Sequence, residues 1–164
     1  MDFGLEDKTV LVTGGSKGIG KGVALAFARE GARVAICARD EGPLEKTALE
    51  IKTLGAKVLA VPADVTDPGS AMRVIAETVR RFQGLDVLVN NAGGAQKFAG
   101  FWELEDEDWR QAYELNVLSI AAFVRGRCGR SPGSGPPRER PRNSISPMTR
   151  RRSLSGPRTR PPFP

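Results

Sequence analysis

Thr9-Val10-Leu11-Val12-Thr13-Gly14-Gly15-Ser16-Lys17-Gly18-Ile19-Gly20 decides the fold. Its first residues are a short, β-branched apolar run, its glycines demand a tight turn, and a helical pattern opens at Gly18-Ile19-Gly20. A strand, a glycine turn and a helix start in that order bring free backbone N–H groups and a helix dipole to one point. Glycine lets the main chain approach an anion there, so the segment is a candidate phosphate-binding loop. A tight strand-to-helix turn also needs glycine for its own geometry; the flanking strand and helix favour the binding reading.

The same grammar repeats outward from this loop. Arg33–Cys37, Lys57–Val61 and Leu85–Val89 are further apolar runs of strand length, nearly continuous as strands covered on both faces are. Helical stretches between them stop at Gly31, Gly55 and Gly84, where glycine accepts the left-handed turn that ends a helix. The third helix is expected to start at Asp67-Pro68, with Met72, Ile75, Ala76, Val79 and Phe82 on its buried face. A fourth helix is expected from the acidic segment Glu103–Asp108 onward. Trp109, Tyr113, Val117, Ile120 and Val124 form one apolar stripe on it and Leu115, Leu118 and Ala122 another, implying burial on both sides. Four βα units in sequence predict an α/β fold, a doubly wound parallel sheet, over residues 7–124.

The composition changes at Arg125. Residues 125–164 hold 11 of the 25 Lys+Arg, all arginine, against the single acid Glu139, so residues 1–124 carry a net charge of −4 within a chain of +6. Arg, Pro, Gly and Ser dominate this tail, which is expected to be disordered because it cannot bury enough apolar surface. The expected organisation is a body, 1–124, and a tail, 125–164. The switch falls inside a helix and resembles a gene read out of frame, so the expected fold is an incomplete one. There is no membrane-spanning apolar run and no secretory leader, and Cys37 and Cys128 make no disulfide framework; the expectation is a reduced cytoplasmic protein with no metal site.

Thr13-Gly14-x-x-x-Gly18-x-Gly20, Ala63-Asp64-Val65, Asn90-Asn91-Ala92-Gly93 and Asn116, in that order, resemble the short-chain dehydrogenase/reductase family over about residues 5–124. The resemblance implies a Rossmann-like fold and a nicotinamide dinucleotide cofactor. It implies that Gly14, Ser16, Lys17, Gly18, Ile19 and Gly20 surround the phosphates and ribose. Asp64 would accept from the adenine amino group with Val65 beside the ring; read alone, Asp64 is a solvated turn acid. Asn91, Ala92 and Gly93 would pass the adenosine ribose, and Asn90 would hold the central strands.

Charge argues which cofactor. A ribose 2′-OH wants a carboxylate at the end of the second strand, whereas a 2′-phosphate wants a cation. Ala38 stands where the acid is expected, Arg39 follows, and Lys17 faces them from the loop, so NADP(H) is favoured; Asp40, one residue late, keeps NAD(H) open.

The family's acid is a tyrosine with a lysine four residues on, helped by a serine and by an asparagine that Asn116 matches. Here the one tyrosine, Tyr113, is followed four residues on by Val117, and the last lysine is Lys97. Tyr113 reads as a packed helix residue. The family-level expectation is an oxidoreductase moving hydride between NADP(H) and a small alcohol or carbonyl, with this chain inactive. The alternative is a non-catalytic nucleotide-binding fragment whose basic tail meets nucleic acid or another anionic partner. One tail aromatic, Phe163, leaves little for base stacking. An open edge at the fourth strand and an uncovered apolar helix face are expected to favour aggregation over family-like pairing.

Overall fold

The computed structural model describes residues 3–95, 97 and 99–128. Strands β1 (Thr9–Thr13), β2 (Arg33–Ala38), β3 (Val58–Pro62) and β4 (Val87–Val89) form one parallel sheet in the order β3-β2-β1-β4. Thr9 lies opposite Arg33 and Thr13 opposite Cys37, while Val10 and Val12 lie opposite Val87 and Val89. The chain moves outward one way through β2 and β3, then returns to place β4 on the other side of β1. That reversal opens a crevice at the carboxyl ends of β1 and β4, where doubly wound sheets bind ligands.

Side chains alternate between two cores. Val10, Val12, Val34 and Ile36 pack with Ala24 and Ala28 of α1 (Gly18–Arg29) and with Leu44 and Ile51 of α2 (Glu41–Thr53). Leu11, Ala35, Cys37 and Val61 pack on the opposite face with Ala71, Val74, Ile75 and Phe82 of α3 (Ser70–Phe82). β1 is buried along its whole length, which is why its sequence shows no polar alternation. Burial pushes the Cys37 thiol up to about 12, leaving it protonated and inert.

Several expectations shift in detail. Gly31 and Gly55 end α1 and α2 with positive φ, but α3 ends on Gln83 (φ 65), one residue before Gly84. Asp67 and Pro68 do not open α3; they form a turn closed by Ser70 N–H donating to the Asp67 carbonyl at 3.1 Å, and left-handed Gly69 precedes the helix. Its buried face is consequently Ala71, Val74, Ile75, Thr78 and Phe82, with Met72 and Ala76 exposed.

The fourth helical stretch is broken into α4 (Asp106–Tyr113), one π turn (Glu114–Leu118) and α5 (Ser119–Cys128). The π turn inserts one residue into the helical phase, so neither predicted stripe keeps its face. Trp109, Tyr113, Val117, Leu118 and Val124 are exposed. The buried face is instead Ser119, Phe123 and Gly126, packed on the Phe82–Ala71 side of the sheet, where a Cβ on Gly126 would stand 2.7 Å from Ile75 Cδ1. α5 continues through Arg125–Cys128, past the change in composition; the remainder of the tail, with its expected disorder, lies outside the described residues. β3 and β4 are the two edges of the sheet among the described residues. No helix among them is long and apolar enough to cross a membrane.

Thr9 carries a testable flaw. Its backbone is paired on both sides with Asp86, yet its buried Oγ1 has no hydrogen-bond partner among the described residues. Thr9→Val keeps the β-branched shape and removes that hydroxyl, so it should raise stability by about 1 kcal/mol, read as a higher urea midpoint with unchanged slope.

Candidate functional site

The loop between β1 and α1 is shaped by its glycines in two different ways. Gly14 (φ +65) and Gly18 (φ +56) adopt the left-handed conformation that side chains disfavour. Gly20 is required by space: a Cβ there would collide with the Gly14 carbonyl oxygen and with Asn91 Nδ2. Gly15 donates its N–H to the Cys37 carbonyl at 3.1 Å, and Thr47 of α2 donates its hydroxyl to the Ser16 carbonyl at 2.9 Å. The loop is therefore held from β2 and from α2. Lys17 occupies the N-cap position of α1 without capping it, and no acid lies in the first turn. The orphan amides and dipole of that helix start are left to an anion.

Across the crevice, the segment after β4 is stitched to the end of β1. Thr13 Oγ1 donates to the Val89 carbonyl at 3.3 Å and accepts the N–H of Asn91 and of Ala92, each at 3.0 Å. Asn91 Nδ2 donates to the carbonyls of Thr13 (3.0 Å) and Gly14 (3.3 Å). Asn91, next to the Asn90 to which the resemblance assigns a strand-holding role, thus ties the segment after β4 to the end of β1.

At the far end, Asp64 Oδ1 accepts the amide (2.9 Å) and hydroxyl (2.7 Å) of Thr66, a local turn, while Oδ2 lies 3.9 Å from Arg39. Partial burial works to raise the Asp64 carboxyl, but Thr66 and then Arg39 outweigh it and hold it below the usual carboxylate value. It is an ionised acceptor at neutral pH, held by its own turn and lining the crevice. Lys17 Nζ lies 3.7 Å from Asp40.

These groups line one cleft of about 330 Å3. Gly14, Ser16, Lys17, Ile19, Gly20, Arg39, Asp64, Val65, Asn91, Ala92 and Gly93 all face it; of the candidate cofactor residues only Gly18 does not. The cleft can take an extended ligand with its anionic centre on the loop, one end at Asp64 and Val65 and the other at Gly93.

Asn116 sits in the π turn beside this second end. Its Nδ2 donates to the carbonyls of Gly94 (2.8 Å) and Ala112 (2.7 Å), and its Oδ1 accepts the Gly94 N–H at 3.0 Å. The side chain is occupied in fixing the loop after β4. Tyr113, expected to be packed, is 55 % exposed. Lys97 is held by Asp108 at 3.0 Å and by the Glu103 carbonyl at 3.1 Å.

Thr13 and Ala63 stand in the sequence motifs and Leu115 in an apolar stripe, but none of them, nor Thr47, carries a site role in the sequence; Ala63 and Leu115 nevertheless line the cleft and both threonines fasten it. Thr47 carried a usable signal. It is the polar member of the stripe Leu44, Thr47, Ala48, Ile51, and a buried hydroxyl in an apolar stripe needs a partner.

A family model described as short chain dehydrogenase matches residues 8–127. The short chain dehydrogenase/reductase dpmpG of Macrophomina phaseolina is 40 % identical over 122 residues, covering 74 % of this chain and 70 % of that protein. L-rhamnose 1-dehydrogenase (NAD(P)(+)) of a Sphingomonas species is 48 % identical over 122 residues, covering 74 % of this chain and 48 % of that protein. Among solved structures, L-sorbose reductase of Gluconobacter frateurii, complexed with NADPH and L-sorbose, is similar at a TM-score of 0.72 and 36 % identity, over 77 % of this chain and 48 % of that one. A short-chain dehydrogenase/reductase mutant of Serratia marcescens is similar at 0.72 and 34 %, over 76 % and 51 %. The chain thus spans about half the length of most of these relatives.

The two glycines of the α1 start should respond oppositely to the same methyl. Gly20→Ala should destabilise by about 3 kcal/mol, because the collision is with backbone and with a fixed amide. Gly22→Ala, with nothing within 4 Å, should stabilise by about 0.5–1 kcal/mol through helix propensity. Parallel urea denaturation curves read both; equal effects would contradict the packing account.

Proposed function

This chain belongs to the short chain dehydrogenase family, and from that premise we propose that its cleft holds a nicotinamide dinucleotide, NADP(H) in preference to NAD(H). The family binds NAD(P)(H) and acts on small alcohols and carbonyls. The observation that carries the reading is the union of an uncapped helix start, a glycine loop and a stitched β4 loop in a single cleft.

In this reading the amides of Ser16, Ile19 and Gly20 hold the pyrophosphate, the Ile19 side chain covers it, and Gly18 shapes the turn behind them. Asp64, kept ionised, accepts from the adenine amino group, with Val65 against the ring. Asn91, Ala92 and Gly93 pass the ribose. Arg39 and Lys17, both largely solvent-facing at the mouth, meet a 2′-phosphate. Neither must abandon a buried partner to do so. The relative named for L-rhamnose is designated NAD(P)(+) and the L-sorbose reductase structure contains NADPH, which agrees with a 2′-phosphate fitting a site of this kind.

The bound nicotinamide would supply or accept the hydride. Proton delivery to the substrate oxygen needs a separate acid at that oxygen. The 164 residues contain no tyrosine–lysine pair at four-residue spacing. Asn116 acts in this chain as a positioning residue, because its amide is spent on Gly94 and Ala112. The proposed activity is therefore nucleotide binding without turnover by this chain, within a family whose reaction is alcohol–carbonyl interconversion.

Titrating the purified 164-residue chain with NADPH and NADH by calorimetry should show tighter NADPH binding. Arg39→Ala should weaken NADPH by about tenfold and NADH by less than twofold, since one charge-assisted hydrogen bond is worth about 1.5 kcal/mol or more. Absorbance at the nicotinamide band should show no oxidation of NADPH with aldehyde, ketone or ketose substrates. Equal affinity for both nucleotides would remove the NADP(H) preference, and measurable turnover would overturn the inactivity.

A further inference from the structure

Two peptide groups of the loop between β1 and α1 are held in contrasting ways. The Gly14–Gly15 peptide is engaged at both ends: its carbonyl accepts from Asn91 Nδ2 at 3.3 Å, and its N–H donates to the Cys37 carbonyl at 3.1 Å. The Ser16–Lys17 peptide is engaged at one end only. Its carbonyl accepts the buried Thr47 hydroxyl at 2.9 Å. The Lys17 N–H at its other end has no hydrogen-bond partner among the described residues. A trans peptide is planar, with C=O and N–H pointing in opposite directions. A carbonyl drawn toward α2 therefore turns the Lys17 N–H away from α2, and both Ser16 and Lys17 line the cleft. The Thr47 hydroxyl is not spent as helical threonines often spend it. Such a hydroxyl can return to the carbonyl one turn earlier, as Thr78 does to Val74 at 2.8 Å. Thr47 instead reaches 31 residues back along the chain to Ser16.

We propose that Thr47 is a positioning residue for nucleotide binding: by holding the Ser16 carbonyl it aims the Lys17 main-chain N–H at the phosphates of the ligand. The inference rests on the nucleotide-binding reading above. A main-chain donor contributes most when its peptide plane is fixed before the ligand arrives, because the ordering cost is then already met. Without the Thr47 hydroxyl the Ser16 carbonyl is buried and unpaired, a costly state for a main-chain acceptor. The peptide relieves it by rotating its carbonyl toward solvent, and the same rotation swings the Lys17 N–H out of line.

Thr47→Val keeps the β-branched shape and removes the donor, so NADPH should bind about tenfold more weakly, as expected for one charge-assisted hydrogen bond. Thr47→Ser returns the hydroxyl and should restore the affinity to within about twofold of wild type. In amide NMR spectra of the wild-type chain, the Lys17 proton should move downfield when NADPH is added, as a donor to an anion does. In Thr47→Val it should barely move. Thermal melts report the folding of each variant. A merely structural threonine would lower the melting temperature of Thr47→Val and leave its NADPH affinity unchanged. That result, or Thr47→Ser binding as weakly as Thr47→Val, overturns the assignment while leaving the cofactor reading intact. So does a Lys17 amide that NADPH leaves unmoved in the wild-type chain, a measurement that decides by itself where Thr47→Val does not fold. A wild-type chain that binds neither NADPH nor NADH overturns the cofactor reading and this inference with it.

Discussion

The close approach of Gly20 to the Gly14 carbonyl and the Asn91 amide is the constraint on which the rest of the structure depends. It brings three segments distant in sequence to one point: the end of β1, the start of α1 and the segment that leaves β4. Asn91 can reach the carbonyls of Thr13 and Gly14 only because no side chain stands at position 20. Thr13 then closes the junction from below with its hydroxyl, accepting two amides from the β4 segment and donating to Val89. In a buried setting each of these polar groups would be costly unpaired, so the junction forms as a unit or leaves several orphans. The crevice of the sheet is in this sense a packing consequence, and its capacity for an anion follows from the helix start that the packing aims into it.

The cleft separates two kinds of recognition. Its centre is built from main-chain N–H groups at the α1 start, fixed from behind by Thr47 and by the Gly15–Cys37 bond. Such groups hold any pyrophosphate alike. Its mouth is built from long, exposed side chains whose charges are already partly balanced by carboxylates. Exposed pairs of this kind contribute little to stability. They can therefore vary in sequence at small cost to the fold while changing which nucleotide is preferred. Under the proposed cofactor reading, binding would be a property of backbone geometry and selectivity a property of the rim.

How much of this was legible in the sequence follows the same division. The strands were readable because burial on both faces imposes unbroken apolar runs, and the loop because glycine is the residue such a turn requires. The gathering of Asp64, Arg39 and Asn91 with the loop followed from strand order and motif position. Features set by backbone detail were not readable. Gln83 takes the left-handed position that Gly84 was expected to fill, and Gly69 displaces the start of α3 from Asp67-Pro68 by two residues. The buried face of α3 lies about one residue earlier than the apolar spacing suggests, which exposes Met72 and buries Val74. The π turn was the largest loss, because apolar periodicity presumes a constant phase, and one inserted residue transfers burial from the Trp109–Val124 stripe to Phe123 and Gly126.

That π turn also places Asn116, and the consequence reaches function. A regular helix would pass position 116 at constant phase; the widened turn carries Asn116 to Gly94, where the side chain bonds the loop backbone in both directions. Gly93 permits this, since a Cβ there would stand 2.8 Å from Asn116 Oδ1. The loop that completes the cleft is thus secured from β1 by Asn91 and from the helix by Asn116. Holding a nucleotide requires only that these two fastenings and the α1 start be in register, and all three lie within residues 9–119. Reducing a carbonyl requires in addition an acid at the substrate oxygen, which no backbone amide of the cleft can supply because it cannot deliver a proton. The two tasks are therefore separable in physical terms.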